Sequence, residues 1–465
     1  MRANGWIPAA ALAVALAGCA LKDPPPREEL VPQALPNLKL PEKWTEGAGA
    51  AAAPGTAIGD AWLAGFHDAQ LESFVRETLV SNPDLQVAAA RVEQAAGYVK
   101  SAGATLYPQV NLLARGGGAL SGDSSGLEGA GIFANWELDL WGRVRAGRGS
   151  ASTQYASAAL DAEYARQSLA AFTAKSWFLA TEARLQKAIA EDMATSAGRQ
   201  LELAQDRLRV GSGSDNDVTL ARASLAAYRD SALNLEYAYR QSLRALEALA
   251  GRYPAAAIEV PASLAAMPGP VPVGMPSELL ERRPDVVAAE RRVAAAFYRE
   301  EEAKAARLPR ISLTAAVTTI SSDLFVLKDR DNPVWSAGAS ITAPLFLGGQ
   351  LQAQVEIRTA EQKQALADYG RIGARAFGEV ESALAAGFTL QEREAILREA
   401  VTENARALEF ANQRYRVGVG DLRAVQQQSL ALSAARTALL RVQTERLVQR
   451  VNLHLALGGS FEAKQ

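Results

Sequence analysis

The chain has 465 residues, enough for two or three ordinary domains or one long one, and its formal net charge of -2 gives no electrostatic footing for nucleic acid. Apolar residues reach 49% but aromatics only 6%, so much of the apolar content is alanine, the strongest intrinsic helix former. After the first 20 residues no charge-free apolar run approaches the roughly 18 residues of a spanning helix, so a membrane-crossing part would have to be made of strands.

At the N-terminus, Arg2 followed by the apolar run Ile7 to Ala17 predicts a signal peptide over residues 1–18. Leu16-Ala17-Gly18-Cys19 contains the sole cysteine and resembles a bacterial lipobox. That resemblance implies cleavage before Cys19 and a covalent lipid on it, and Ala20 in place of aspartate implies export to the outer membrane. The other reading is an ordinary leader with an incidental cysteine. A lipid anchors a protein but opens no pore. Residues 19–59, rich in Pro, Ala and Gly from Lys22-Asp23-Pro24-Pro25-Pro26 onward, predict an extended lipidated tether, with order starting near Asp60.

The remainder reads as a tandem duplication, residues 60–260 and 261–465. Asn82-Pro83-Asp84-Leu85 is echoed by Arg283-Pro284-Asp285-Val286, and Pro108-Gln109-Val110-Asn111-Leu112 by Pro309-Arg310-Ile311-Ser312-Leu313, both 201 residues on. Arg207-Leu208-Arg209-Val210-Gly211-Ser212-Gly213 returns as Arg414-Tyr415-Arg416-Val417-Gly418-Val419-Gly420, 207 residues on. Each copy runs short helix, strand, loop, strand, very long helix, turn, long helix.

The strands alternate with period two. Ile132, Ala134, Trp136, Leu138 and Leu140 oppose Asn135, Glu137 and Asp139; Ile311, Leu313, Ala315 and Val317 oppose Ser312, Thr314 and Thr318; Trp335, Ala337, Ala339 and Ile341 oppose Ser336, Ser340 and Thr342. The segments Gly116–Gly126 and Ser321–Asn332 read as hairpin loops. Proline is absent from Trp141 to Gly211, Gly348 to Gly418 and Asp421 to Leu457, which permits very long helices. Stripes such as Leu185, Ile189, Met193, Ala197, Leu201, Ala204 and Leu208, or Leu432, Ala435, Leu439 and Val442, have coiled-coil spacing, with charged residues opposite.

Four alternating strands suit a transmembrane β-barrel, yet a barrel must close and single-chain barrels start at about eight strands. If these strands cross a membrane, several chains share one barrel. A small soluble sheet packed on a structural coiled coil fits the same pattern.

Five motifs stand out: Trp62-Leu63-Ala64-Gly65-Phe66-His67-Asp68, Trp136-Glu137-Leu138-Asp139-Leu140-Trp141-Gly142-Arg143, Arg282-Arg283-Pro284-Asp285-Val286 with Ala289-Glu290, Pro344-Leu345-Phe346-Leu347-Gly348-Gly349 and Ala456-Leu457-Gly458-Gly459. Together they resemble the TolC-like outer-membrane factors, in particular the lipoprotein branch serving resistance-nodulation-division efflux pumps. The resemblance implies a mixed α and β fold, internally duplicated, in which a long-helix α-barrel continues a four-stranded contribution to a trimeric transmembrane β-barrel. A belt from residues near 60–80, 251–280 and the C-terminus is implied as well. The implied role is the outer-membrane channel of a tripartite multidrug efflux system, with a homotrimer, a periplasmic membrane-fusion adaptor and an inner-membrane resistance-nodulation-division transporter as partners. The helix turns would form the periplasmic tip, where Arg207, Val210, Gly211, Arg414, Val417 and Gly418 are the candidates for adaptor contact. Gly211 and Gly418 also suit a reversal that wants positive φ. Asp217, Tyr415 and Asp421 are gate candidates; the two aspartates read equally as helix caps. The acid that family members often carry past the second tip is missing between Leu422 and Leu432, where Gln426, Gln427 and Gln428 stand.

No enzyme chemistry is legible. His67 and His454 lie in different copies without ligand-spaced partners, so no metal is expected, and no cofactor beyond the lipid on Cys19. Gly122-Asp123-Ser124-Ser125-Gly126 matches a nucleophile-elbow pattern but falls in a hairpin loop. Two alternatives stand beside the efflux reading: a duct for type I protein secretion, and a coiled-coil lipoprotein scaffold that forms no channel.

Overall fold

The computed structural model describes residues 22–45, 61–115, 128–321 and 334–461. The leader with Cys19, residues 46–60 and both hairpin loops, including the Gly122–Gly126 pattern, lie outside these. Helix α1 is Arg27–Ala34, and a 3-10 turn at Trp62–Phe66 precedes α2, Ala69–Ser81. The first copy then contains α3 (Pro83–Ala104), β1 (Gln109–Arg115), β2 (Glu128–Leu138), α4 (Arg143–Arg209) and α5 (Asp215–Leu249). After the short α6 (Leu279–Arg282), the second contains α7 (Pro284–Ala305), β3 (Arg310–Ser321), β4 (Val334–Thr342), α8 (Gln350–Arg416) and α9 (Leu422–Ala456).

The duplication holds element by element. α3 and α7 have 22 residues each, α4 and α8 have 67, and α5 and α9 have 35. Without proline to interrupt them, α4 and α8 each run for a contour of about 100 Å at about 1.5 Å per residue. The offset grows from 201 to 207 residues inside the hairpins, between the starts of the first strands, Gln109 and Arg310, and those of the long helices, Arg143 and Gln350. The hairpin registers correspond too: Gln109 faces Asn135 in one and Arg310 faces Thr342 in the other.

Helix ends are closed in the same way in both copies. A terminal helix carbonyl is buried without an intrahelical partner and needs a donor. Asn82 Nδ2 donates to the Leu249 carbonyl at 2.9 Å, and Arg283 Nη1 donates to the Ala456 carbonyl at 3.4 Å. Arg283 is fully buried and also meets Glu379 at 2.6 Å.

The chain divides into two compact units, one drawn from residues 1–38, 88–161 and 285–373, the other from 39–87, 162–284 and 374–465. The first holds the sheet, a single antiparallel layer in the order β1-β2-β3-β4. The second holds an apolar core in which Trp62, Phe66, Leu71, Phe74, Val260 and Phe461 pack on Trp177, Phe178, Leu246 and Val451. The segments read as a belt, near 60–80, past 251 and at the C-terminus, therefore supply this core. His454 stacks on Trp62 with centroids 5.7 Å apart. No helix among the described residues is long and apolar enough to cross a membrane.

Two expectations need correction. Order does not wait for Asp60: residues 22–45 form α1 and a docked strap. In the first unit Arg27 Nε donates to Glu290 at 2.8 Å and Leu30 is buried. In the second Trp44 is buried, donating to the Val273 carbonyl at 3.1 Å. The Pro-rich composition hid three anchoring side chains, Arg27, Leu30 and Trp44, and the Thr45 N–H, which donates to Glu381 at 2.9 Å. Leu140 is also outside the sheet, since β2 ends at Leu138 and the Leu140 N–H turns back to its carbonyl.

Candidate functional site

One face of the sheet is apolar across all four strands, while the other is polar toward the helices and mixed farther along, where Phe133, Leu113 and Val334 lie. The registers align Val110, Ala134, Ala315 and Ala337 in one row and Leu112, Ile132, Val317 and Trp335 in another. On the same face lie the rows Trp136, Leu313, Ala339 and Leu138, Ile311, Ile341. The opposite face carries Gln109, Asn135, Thr314 and Gly338, then Glu137, Ser312 and Ser340. The apolar face is uncovered: Leu112 and Trp335 are each 75% exposed and Ile341 is 72% exposed. At about 25 cal/mol per Å², a continuous apolar face left in water is costly, and hydrocarbon removes that cost. Among the described residues, β1 and β4 each have one unpaired edge.

The strand-to-helix junction of the first copy explains its motif residue by residue. Glu137 takes a paired hydrogen bond from Arg143, at 2.9 and 2.7 Å. Asp139 accepts the Val144 and Arg145 N–H groups, each at 2.9 Å, which places a carboxylate on the positive end of α4. Trp136 and Trp141 donate to the carbonyls of Leu106 and Pro309, at 2.9 and 2.6 Å. The corresponding stretch of the second copy, Pro344 to Gly349, has neither acid, and Leu345 and Phe346 are 95% and 87% exposed.

The far ends of the long helices turn back through two matched reversals. Gly211 (φ 76°) and Gly418 (φ 85°) adopt the left-handed conformation that ends a helix. The next N–H reaches back five residues, from Ser212 to Arg207 at 2.9 Å and from Val419 to Arg414 at 3.1 Å. The second glycine is needed for space: a Cβ on Gly213 would lie 2.8 Å from Leu208 N, and one on Gly420 2.9 Å from Tyr415 N. Ser214 and Asp421, at matching positions, cap the returning helices, accepting from Asp217 N at 3.2 Å and Arg423 N at 3.0 Å.

One interaction breaks this symmetry. Arg207 crosses to the second turn, donating to the Tyr415 carbonyl and standing over the Tyr415 ring at 4.6 Å, while its other amine donates to Ser212 O at 3.0 Å. Tyr415 is buried with Ala204, Val218, Leu422 and Val425. Burial, with Asp217 adding to it, pushes its hydroxyl above the ordinary tyrosine range. Val210, Val417 and Val419 stand exposed.

The candidates read from sequence thus fall into two groups. Arg207 and Tyr415 are in direct contact, and Asp217 and Asp421 both bear electrostatically on the Tyr415 hydroxyl; Gly211 and Gly418 make the two reversals, Asp421 also caps a helix from an exposed position, and Arg414, Val210 and Val417 are exposed on the turns. Cys19 lies outside the described residues. Sequence reading missed the Arg207 crossing and exposed Val419. Aligning the copies would have flagged the first, because Leu208 stands where the second copy has Tyr415.

The sequence profile of the outer membrane efflux protein family matches residues 74–252 and 275–459. The chain is 30% identical to the cation efflux system protein CusC of Escherichia coli over 409 residues, 86% of this chain and 88% of that protein. It is also 30% identical to the pyoverdine export outer membrane protein OpmQ of Pseudomonas putida, over 86% of this chain and 88% of that protein. The solved outer-membrane channel OprN superposes with a TM-score of 0.84 at 27% identity, covering 91% of this chain and 97% of OprN. With its uncovered apolar sheet and paired long helices, the chain belongs to the outer membrane efflux protein family and is the outer-membrane channel component of an efflux system.

Proposed function

We propose that three copies of this chain close a twelve-stranded barrel and, below it, a helical duct through which drugs leave the cell. The observation that carries this reading is the four-stranded sheet with one apolar face and two open edges. An edge in hydrocarbon leaves backbone groups unsatisfied, so the strands must be sealed by further copies, and four per chain brings three chains to twelve. The duct performs passage rather than chemistry, and we infer neither a catalytic centre nor a cofactor. The driving force comes from a proton-coupled resistance-nodulation-division transporter, joined through a membrane-fusion adaptor at the helix turns. Exposed Val210 and Val417, with Arg414, Gly211 and Gly418 beside them, support the turns as that contact; Arg207 acts there by holding the two turns together. Asp217, Tyr415 and, at the solvent edge, Asp421 form the gate. Cys19 carries the lipid. Its support is the run Leu16-Ala17-Gly18-Cys19, which resembles a lipobox.

The test combines gene deletion, susceptibility to a drug panel that includes metal salts and a siderophore, and conductance of purified protein in planar bilayers. Deletion is expected to sensitise cells to amphiphilic drugs, and the protein to conduct. Sensitivity to metal salts alone would move the cargo to cations. No conductance and no oligomer in outer-membrane extracts would refute the channel.

A further inference from the structure

We infer that a cavity between α8, α9 and the segment leading to α6 binds a small aromatic carboxylate, with Arg450 holding the carboxylate group. The cavity measures about 160 Å³. Its walls are Met267, Pro270 and Val271 of the segment, Leu384 and Phe388 of α8, and Leu453 of α9, together with Arg446 and Arg450. All of these lie in the second unit. Arg450 is half-buried, and its Nη1 donates to the Gly269 carbonyl at 2.7 Å. Among the described residues its guanidinium has no other hydrogen bond and no ion pair. A guanidinium offers five N–H donors, so most of them are unused. Burial and the nearby charge of Arg446 both lower its pKa, the opposite of what an acid partner does.

The charges around Arg450 are unbalanced. Buried Glu394 serves two arginines, Arg398 at 2.5 Å and Arg446, and accepts from Gln443 at 3.1 Å as well. Glu445 is engaged by Arg393. His454, beside Arg450, adds no charge near neutral pH, because burial holds its pKa at about 4. Arg398, Arg446 and Arg450 thus share one carboxylate, and a second one, brought by a ligand, completes the set. A carboxylate takes two parallel bonds from a guanidinium, each stronger than a neutral hydrogen bond. The apolar walls define the rest of the ligand. An apolar cavity of about 150 Å³ takes benzene, whereas drug-sized ligands need about 300 Å³ or more. The body is therefore a single ring, and Phe388 and Met267 favour an aromatic one through ring-edge and sulfur contacts. Gly387 also lines the cavity, and a Cβ there would meet nothing within 4 Å. A bound acid ties the segment between the repeats to the last two helices, a role separate from the passage of cargo.

The probe is benzoate, added to purified full-length protein in a non-ionic detergent and read by NMR saturation transfer to its ring protons. Benzoate is expected to bind. Acetate, which lacks the ring, and benzyl alcohol, which lacks the charge, are expected to bind more weakly by roughly tenfold or more, as for the loss of a charged hydrogen bond. Arg450→Gln removes the charge and relieves the repulsion from Arg446. Gly387→Leu fills the cavity and keeps every charge, and leucine is the better helix former. Each variant is expected to weaken benzoate by roughly tenfold or more, with thermal unfolding in the absence of benzoate no lower than in the parent. Because the two variants act by different means, a folding defect in one leaves the other to decide. Benzoate and benzyl alcohol binding equally would overturn the role of Arg450. Benzoate binding that survives both variants would overturn the cavity as its site. No saturation transfer to millimolar benzoate from folded protein would overturn the inference altogether.

Discussion

Placing an arginine at Ile132 asks directly whether the apolar face of the sheet meets lipid. Ile132 shares a row with Leu112, Val317 and Trp335, and the base of the sheet is marked by Leu138 paired with Ile311. The six residues from Leu138 to Ile132 span about 20 Å of strand at about 3.3 Å each. At a tilt of about 40° this is a height of roughly 15 Å, near the middle of an apolar band about 25 Å tall. An arginine there costs about 2–4 kcal/mol per chain, a loss of roughly 30- to 700-fold in the folded population at about 1.4 kcal/mol per decade. Ala316→Arg, one position from Val317 and on the other face, is expected to cost no more than about 1 kcal/mol because lumen side chains stay in water. The assay is urea titration of protein folded into vesicles, with the amount of oligomer in outer-membrane extracts as a second readout. Were the sheet soluble, the half-exposed Ile132 would tolerate arginine within about 0.5 kcal/mol. Equal costs on the two faces, or a greater cost at Ala316, would refute the assignment of lipid and lumen.

Three other perturbations test the helices. Gly420→Ala brings a Cβ within 2.9 Å of backbone atoms of Arg414 and Tyr415, so the turn must open; oligomer yield should hold while drug export in a susceptibility assay falls several-fold. His454 is buried beside Arg450, and burial depresses its native pKa to about 4 from an ordinary 6.5. The unfolded state therefore binds more protons between these values. The stability contributed by neutral His454 should be complete above about pH 6.5 and fall by about 3 kcal/mol as the pH drops through 4, a slope that His454→Phe should remove from chemical denaturation curves. Trp44→Ala, which empties a buried site and its bond to the Val273 carbonyl, should cost about 3–5 kcal/mol locally; limited proteolysis should then cut the strap first, leaving the helices intact.

The parts of this fold that were legible in the sequence are those where one residue type has one physical use. Gly211 with Gly213, and Gly418 with Gly420, announce a reversal and a close approach, and proline-free stretches announce the helices. Period two announced the strands, although it ran past Leu138 to Leu140 because Asp139 continues the alternation while serving as a helix cap. The strap was hidden because its composition is that of a tether, and Trp44 finds its partners 229 residues away in sequence, at Val273. The Arg207 crossing was hidden for a related reason: an arginine beside a helix end reads as solvated, and only the fold sets Tyr415 beneath it.

What the duplication retained and what it lost have different causes. Retained are the groups that satisfy backbone: Asn82 and Arg283 close equivalent helix ends with unlike side chains, and Ser214 and Asp421 cap equivalent helices. Any donor or acceptor of the right reach will do there, so chemistry drifted while the bond stayed. Lost are the features that would make the two copies interchangeable. Glu137 and Asp139 brace one strand-to-helix junction, whereas Pro344 and Phe346 stand in the other. Leu208 and Tyr415 differ at the turns, so the tie from Arg207 to Tyr415 occurs once per chain. In the ring of repeats proposed above, two kinds of turn would alternate, one reaching out and one being held. If the turns form the proposed gate, that alternation would decide which helices stay and which move, a choice that identical turns would not offer.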